Sequence, residues 1–279
     1  MKLWLYSHLI DSPGNSLVVE EGKRRGHEVL LKRPSFIHLN MGPNLRDKPD
    51  LLLTRTGGAA PESAIDYLRC LWSLGIRCLN TPQGLYRTRH KGVAYSFLAA
   101  AGVPIPKTVL LGAEPTEKVV DILPGPPWIL KLPLSTKGQG VCLVESLRSL
   151  RSTADVLKES GQTLLLQEFV ETARGSDIRV LVFGGKARLA ARRSARKADE
   201  FRSNVHLGGS AETVELTPEL AQIAERAASA LELQMAGVDI LEGSDGYLVV
   251  EVNSSPGLTA SSKLPSLLFD YLEDEVKSV

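Results

Sequence analysis

Two carboxylates and one amide lie within a pair of apolar segments near the end of the chain. Asp239 interrupts the first segment, and Glu251 and Asn253 end the second. The stretch 243–246 between them, Gly-Ser-Asp-Gly, has turn composition, so the sequence predicts a β-hairpin. Glu251 and Asn253 would then point to the same face of their strand. A turn over 243–246 places Asp239 opposite residue 250, whereas a five-residue loop places it opposite Glu251.

Carboxylates inside apolar strands repel each other and need a counter-charge. Oxygen ligands without His or Cys suit a hard cation, Mg²⁺ or Mn²⁺. The alternative is that Asp239 is a surface residue beside the turn and Glu251 a solvated strand end. We favour the metal because both carboxylates interrupt apolar segments and Asn253-Ser-Ser-Pro-Gly follows directly.

A lysine lies inside another apolar segment. Lys131 is the fourth residue of 128–132, and a loop carrying Lys137, Gly138 and Gly140 follows. Such a lysine is uncommon unless its charge reaches solvent or meets an anion. Backbone amides of a glycine-rich turn can hold phosphate, although the loop lacks the Walker pattern. A simple hairpin turn is the alternative for the loop alone; together with Lys131 it indicates an anion site.

A basic cluster, Arg87-Thr-Arg89-His90-Lys91, precedes or opens an Ala-rich helix predicted from about residue 92 to 101. Basic side chains at a helix N-terminus oppose the helix dipole, and a bound anion would offset that cost. A solvated basic turn explains the cluster equally well.

The composition excludes several classes of partner. The chain has 279 residues with 33 basic against 32 acidic side chains, so no overall charge favours nucleic acid or a membrane. We find no apolar run long enough for a membrane span and no signal-peptide pattern. Three cysteines without metal-type spacing are typical of a reducing cytosol, so we expect a cytoplasmic protein.

The first 80 residues alternate short apolar strands with helices, which predicts a small parallel α/β domain. They lack a Gly-x-Gly-x-x-Gly turn, so we predict no dinucleotide site there. Asn80-Thr-Pro82 marks a boundary. Further along, the sequence predicts a hairpin over 178–191 and a helix that begins at Pro218.

Six stretches together resemble the ATP-grasp superfamily, and specifically the RimK-like α-L-glutamate ligases. They occur in the family's order, and the similarity is close from about residue 79 to 258. The stretches are Lys131-Leu-x-x-x-Thr136-x-Gly138-x-Gly140, Gln167-Glu168-Phe169, Gly175-x-Asp177-Ile-Arg179, Glu200-Phe-Arg-Ser-Asn-Val-His206-x-Gly-Gly209, Ala236-Gly-Val-Asp239-Ile-Leu241 and Glu251-Val-Asn253-x-Ser255-Pro-Gly257.

The resemblance implies an α/β (α+β) ATP-grasp fold with an N-terminal Rossmann-like pre-ATP-grasp domain. We expect an N-terminal α/β domain over 1–80, a central ATP-grasp subdomain over 81–165, and a C-terminal subdomain with the metal site over 166–279. ATP would lie between the last two.

The resemblance also implies which residues bind the nucleotide. Lysines would hold the phosphates under the glycine loop, Glu168 and Phe169 would meet adenine through their backbone, and Asp177 would lie near the ribose. The implied nucleotide-binding set is Lys91, Lys131, Lys137, Gly138, Gly140, Glu168, Phe169, Asp177, Arg202, Ser203 and Asn204.

The same resemblance implies two Mg²⁺ or Mn²⁺ ions on Asp239, Glu251 and Asn253. Arg202 and Arg193 would stabilise the transferring phosphoryl group. The implied reaction is ATP-dependent amide or peptide-type bond formation through an acyl phosphate. Its substrates would be a glutamate-like amino acid and a carboxylate acceptor, which we expect to be a protein C-terminus or carrier protein. We expect a homo-oligomer, a dimer or tetramer.

Two alternatives stay open. The ligase would instead build a small molecule, such as a glutamylated cofactor, a dipeptide or a peptide natural product, or the chain would be an inactive nucleotide-binding scaffold. Asp239, Glu251 and Asn253 argue against the scaffold. The sequence departs from the family's pattern at His90, where an acidic residue is common, and at Leu207, where many members carry Arg.

Overall fold

The computed structural model describes residues 1–9, 11–34, 47–57, 60–112, 122–135, 139–159, 161, 163–196 and 210–278. The strands in these ranges are β1 (Lys2–Tyr6), β2 (Glu28–Lys32), β3 (Leu51–Thr54), β4 (Cys78–Leu79), β5 (Thr108–Leu111), β6 (Trp128–Lys131), β7 (Val141–Val144), β8 (Leu164–Glu168), β9 (Ser176–Phe183), β10 (Lys186–Ser194), β11 (Ser210–Val214), β12 (Met235–Gly243) and β13 (Gly246–Asn253). The helices are α1 (Pro13–Arg24), α2 (Glu62–Ser73), α3 (Pro82–Arg89), α4 (Lys91–Ala100), α5 (Leu147–Glu159), α6 (Pro218–Ala230) and α7 (Leu264–Lys277), with a short 3-10 helix at Glu171–Ala173.

The described strands form three sheets. Sheet A has the order β2-β1-β3-β4, and all its pairs are parallel. Sheet B has the order β5-β8-β6-β7, and sheet C the order β11-β10-β9-β12-β13, with antiparallel pairs throughout. The parallel α/β unit predicted at the N-terminus and the predicted α/β (α+β) class are confirmed.

Local sequence signals account for several element ends. Thr217 caps α6, because its hydroxyl accepts a hydrogen bond from the backbone N–H of Leu220 at 3.3 Å, and Pro218 takes the first turn. Gly102 follows α4 with a φ of 66°, a left-handed conformation that favours glycine after a helix.

The two faces of sheet C are buried against different partners. One face packs against α4 and α6 in an Ala-rich core that includes Val180, Val238 and Ile240. The opposite face, through Leu181 and Phe183, shares a core with sheet A, α1 and α7. Sheet A, α1 and α7 therefore pack against the face of sheet C that also carries the polar residues of the site.

The predicted boundary at residue 80 falls between β4 and α3. Within the range 81–165, α4 packs on sheet C through Ala94 and Leu98, whereas β5 to β7 belong to sheet B. The limits of the central and C-terminal subdomains stay a proposal. In the described ranges, no helix combines the length and apolar character that crossing a membrane requires.

Candidate active site

The hairpin of β12 and β13 places the predicted metal ligands together. Gly243 pairs with Gly246, so the turn is the short one, yet Asp239 pairs with Glu251 and not with residue 250. A register shift between Asp239 and Ile240 makes both true, because Val250 is the extra residue of a β-bulge. Asp239 and Glu251 therefore point to the same face.

Asp239 is buried, at 2% exposure, and its charge is compensated by two arginines. Arg179 on β9 donates to both of its carboxylate oxygens at 2.6 Å, and Arg193 Nη2 on β10 lies 2.9 Å from Oδ2. Burial alone would raise the pKa of Asp239, but the two guanidinium groups hold it below its usual range. A metal ion is thus not needed to explain why this carboxylate is buried.

Arg193 and Asp177 form a second buried ion pair on the same face of sheet C. Arg193 Nε donates to Asp177 Oδ1 at 2.6 Å, and the two residues are 6% and 5% exposed. Burial opposes the charge of Arg193, yet the neighbouring Asp239 and Asp177 raise its pKa. The residues predicted for phosphoryl stabilisation and for the ribose therefore contact each other.

Glu251 and Asn253 complete this polar face with free coordinating capacity. The Glu251 side chain is 36% exposed, in contrast to Asp239. Asn253 Nδ2 donates weakly to Asp239 Oδ2 at 3.4 Å, which leaves its amide oxygen turned away from that carboxylate. Mg²⁺ takes only a few oxygen ligands from a protein. The Glu251 carboxylate, one lone pair of Asp239 and the Asn253 amide oxygen match that requirement.

Within the described residues, no group of three or more His, Cys, Asp and Glu side chains is suited to a metal ion. The predicted set has only two carboxylates and one amide, so the metal would need further oxygens from a bound phosphate or water. The donor set is compatible with an ion that arrives with a nucleotide.

Lys131, in the middle of sheet B, is a buried cation. It is 7% exposed, and its Nζ donates to Gln167 Oε1 at 2.6 Å and to the Tyr95 hydroxyl at 3.3 Å. Burial lowers the pKa of Lys131 to about 8. No carboxylate forms an ion pair with it in the described part of the chain, so a phosphate would supply the missing counter-charge.

Tyr95 connects Lys131 to the hairpin. Its hydroxyl donates to the backbone carbonyl of Val250, the bulge residue, at 2.5 Å. Tyr95 and Arg179 were not assigned a role from the sequence. The only sequence signal for Arg179 was its place in the Gly175-x-Asp177-Ile-Arg179 stretch, and Tyr95 had none.

Lys91 lies between sheet B and the hairpin. Its Nζ donates to the backbone carbonyl of Ser135 and lies 3.6 Å from Glu251 Oε1. Burial lowers the pKa of Lys91, and Glu251 partly offsets that effect. His90 caps α4, because its Nδ1 accepts a hydrogen bond from the backbone N–H of Val93 at 3.2 Å.

Glu168 and Phe169 line a groove of about 610 Å³ with α6 and the hairpin turn. Glu168 Oε1 accepts a hydrogen bond from the backbone N–H of Lys107 at 2.7 Å, and Arg174 stacks 4.9 Å from the Phe169 ring centre. These contacts fix the segment that joins sheet B to sheet C.

Part of the predicted site lies outside the described residues. Gly140 is described, with a φ of 64° and a carbonyl that accepts from Leu132 N–H at 2.8 Å. The predicted residues outside the described ranges are Lys137, Gly138, Arg202, Ser203 and Asn204.

Several solved structures share this fold, and two of the three described next are ATP-grasp proteins. D-cycloserine synthetase DcsG matches with a TM-score of 0.77 at 15% identity, covering 99% of this chain and 100% of that one. A RimK domain protein of Sphaerobacter thermophilus matches with a TM-score of 0.75 at 20% identity, over 97% and 99% of the two chains. The ligase PsnB, in complex with a phosphomimetic variant of minimal precursor, Mg and ADP, matches with a TM-score of 0.73 at 18% identity, over 98% and 97%. The fold is that of the ATP-grasp ligases.

Sequence relatives narrow the class. The model of the RimK-like ATP-grasp domain matches residues 88–267. A probable alpha-L-glutamate ligase of Maridesulfovibrio salexigens is 35% identical over 98% of this chain and 95% of its own length. A protein with the same description from Legionella pneumophila is 33% identical over 99% and 94%. The chain belongs to the RimK-like ATP-grasp family, and it is an ATP-dependent ligase of the kind that forms carbon–nitrogen bonds.

Proposed function

We propose that the protein joins glutamate, or a similar amino acid, to a carboxylate at a protein C-terminus or on a carrier protein. The observation that carries this proposal is the approach of two lysines, one buried and one half-buried, to the polar hairpin. Lys91 lies 3.6 Å from Glu251, and Lys131 reaches the bulge through Tyr95. The two lysine ammonium groups thus lie near the carboxylates of the hairpin. This arrangement suits a nucleoside triphosphate with its metal ion.

The proposed reaction has two steps. An oxygen of the acceptor carboxylate attacks the γ-phosphorus of ATP, the bond to the bridging oxygen breaks, and ADP leaves with that electron pair. The amino group of the incoming amino acid then attacks the acyl carbon, loses a proton and expels orthophosphate. Phosphoryl transfer needs alignment and charge neutralisation more than a protein nucleophile. Lysines, an arginine and metal-binding carboxylates are sufficient for it.

Each part of the chain has a proposed task. Lys91 and Lys131 neutralise phosphate charge, and the segment at Glu168 and Phe169 meets the adenine. When bound, Mg²⁺ neutralises the phosphate oxygens at the transferring group, and Asp239, Glu251 and Asn253 hold it. The nucleotide lies between the central and C-terminal subdomains, whose proposed limits are 81–165 and 166–279.

Arg193 has a different task from the one that its sequence position implies on its own. Arg193, on β10, contacts both Asp177 on β9 and Asp239 on β12, so it fixes the positions of these two carboxylates. Since its guanidinium is 7% exposed, we propose that it orients Asp239 toward the metal. Arg202 remains the candidate for direct contact with the transferring phosphoryl group.

A screen of amino acids against carboxylate acceptors tests the function. ADP release would be followed with Mg²⁺ present, and mass spectrometry would identify each product. We expect glutamate to support ADP release with a peptide or carrier-protein acceptor and to add one residue mass. Exclusive formation of a small-molecule amide would favour the alternative ligase. If no combination of amino acid and acceptor supports ADP release, the proposal is overturned. Glu251→Gln serves as the inactive control, because it should stay folded and lose magnesium-dependent ADP release.

A further inference from the structure

The carboxyl ends of β1 and β3 meet at the centre of sheet A. The strand order β2-β1-β3-β4 changes direction there, and all its pairs are parallel. In open parallel sheets, ligands bind in the crevice at such a point. The N-terminus of α1 follows β1 directly and lies at the same edge. None of the residues assigned above to ATP or metal belongs to this edge.

Arg55, directly after β3, is a buried cation without a counter-ion. It is 8% exposed, its Nη1 donates to the backbone carbonyl of Pro256 at 2.5 Å, and its Nε donates to Asn15 Oδ1 at 3.4 Å. Across the described ranges no carboxylate pairs with it, and its Nη2 has no hydrogen-bond partner. Burial lowers the pKa of Arg55 to about 10, so it remains charged at neutral pH. An unpaired buried charge is costly, and a bound anion would remove that cost.

The N-terminus of α1 lies beside Arg55. A Cβ placed on Gly14, in the first turn of α1, would lie 3.0 Å from Arg55 Nη2. Ser12 precedes this helix, but its side chain makes no capping hydrogen bond. A guanidinium beside a helix N-terminus suits a carboxylate.

The loop after β13 lies against this crevice. Pro256 accepts from Arg55, a Cβ on Gly57 would lie 3.9 Å from Ser255 Cβ, and Asn80 Nδ2 donates to the Ser254 carbonyl at 2.8 Å. The loop begins directly after Asn253, so a ligand held by Arg55 would lie beside the strand end that carries the metal ligands.

We propose that Arg55, together with the N-terminus of α1, binds a carboxylate of one of the ligase's two non-nucleotide substrates. This inference rests on the proposed function. The planar fork of an arginine matches a carboxylate with two parallel hydrogen bonds. The bound carboxylate belongs either to the acceptor or to the incoming amino acid, because both carry the same group.

Direct binding tests the inference without turnover. Thermal unfolding of the full chain would be followed while N-acetyl-L-glutamate or L-glutamate is added, with Mg²⁺ and ADP present. We expect at least one of these carboxylates to raise the unfolding temperature of the wild-type protein, and Arg55→Gln to abolish that rise. ADP should stabilise the variant as it does the wild type. No rise with either compound in the wild type, or an equal rise in the variant, would overturn the inference.

Steady-state kinetics identify which substrate carries the carboxylate. Loss of a hydrogen bond to a charged group corresponds to an increase of roughly 10- to 100-fold in KM. We expect Arg55→Gln to raise the KM of either the acceptor or the amino acid by this factor while the KM for ATP is unchanged. Arg55→Lys keeps the charge but not the planar fork, so its KM for the affected substrate should lie between those of the wild type and Arg55→Gln. Equal increases for all three substrates would indicate a structural role and contradict the inference.

Arg24→Gln is the matched control, because it removes the same charge from an exposed position of α1. It should change neither KM nor the stabilisation by carboxylates. If the wild-type protein forms no ADP with any substrate, the proposed function fails, whereas the binding experiment still decides on the Arg55 site. If turnover is normal and insensitive to Arg55, only the site fails.

Discussion

Replacement of Asp239 by Asn and of Glu251 by Gln separates charge pairing from metal binding. Both residues face the same side of the hairpin, and each variant removes one charge with little change in shape. Asp239 is buried and pairs with Arg179 and Arg193, whereas the Glu251 side chain is 36% exposed. We expect Asp239→Asn to destabilise the fold and Glu251→Gln to leave it intact. Both should lose magnesium-dependent ADP formation.

The magnitude for Asp239→Asn follows from its partners. Removal of one member of a buried ion pair costs about 3–5 kcal/mol, because the other charge remains buried without compensation. Arg193 keeps Asp177, so we expect the lower end, about 3 kcal/mol. This corresponds to a fall of roughly 6–12 °C in the unfolding temperature. Glu251→Gln should change stability by less than about 1 kcal/mol, as for an exposed pair.

Thermal unfolding and ADP release at limiting Mg²⁺ measure the two effects. The pKa of Asp239 is depressed in the folded state, so its stabilising effect is complete above an unfolded-state pKa of about 4. It is lost as the pH falls through the folded-state pKa, so measurements at pH 7 contain all of it. Glu242→Gln, on the same strand and paired with Arg192 at the surface, is the matched control.

Two results would refute this reasoning. Unfolding of Asp239→Asn within about 2 °C of the wild type would show that the pairs with arginine contribute little. Normal turnover of Glu251→Gln at limiting Mg²⁺ would show that Glu251 does not bind the metal.

Two further predictions concern the link between Lys131 and the hairpin. Lys131→Met should raise the KM for ATP with little change in folding, since methionine replaces the apolar stem of the lysine. In the wild type, kcat/KM for ATP should fall above about pH 8, where Lys131 loses its proton. In the variant this fall should be absent. Tyr95→Phe should destabilise the protein by about 1–3 kcal/mol in denaturant unfolding, because the Val250 carbonyl and the lysine lose a partner. An unchanged pH profile in Lys131→Met, or wild-type stability in Tyr95→Phe, would contradict the respective prediction.

The hairpin shows how far local sequence determines the site. The Gly-Ser-Asp-Gly turn and the alternation of Glu251 and Asn253 are local features, and both were predicted. The register depended on Val250, whose apolar side chain resembles its neighbours and gives no sign of a bulge. The sequence offered a short turn over 243–246 with Asp239 opposite residue 250, or a five-residue loop with Asp239 opposite Glu251. The structure has the short turn together with the pairing of Asp239 and Glu251.

The charge partners were not predictable in the same way. Arg179 and Asp239 are 60 residues apart in sequence and meet only because β9 and β12 pair. The basic cluster gives a second example. Arg87 and Arg89 end α3, where the helix dipole favours basic residues, and only Lys91 opens the next helix. The expected opposition of the whole cluster to a helix dipole was therefore wrong, because the sequence did not reveal α3.

The nucleotide product of the reaction tests the central proposal most directly. Lysines and metal-binding carboxylates placed at the β- and γ-phosphates stabilise charge that develops there, so the proposed mechanism predicts attack at the γ-phosphorus. With an acceptor whose carboxylate carries ¹⁸O, we expect ADP and orthophosphate that has gained one ¹⁸O atom. AMP and pyrophosphate as the main products, or orthophosphate without the label, would contradict an acyl-phosphate route.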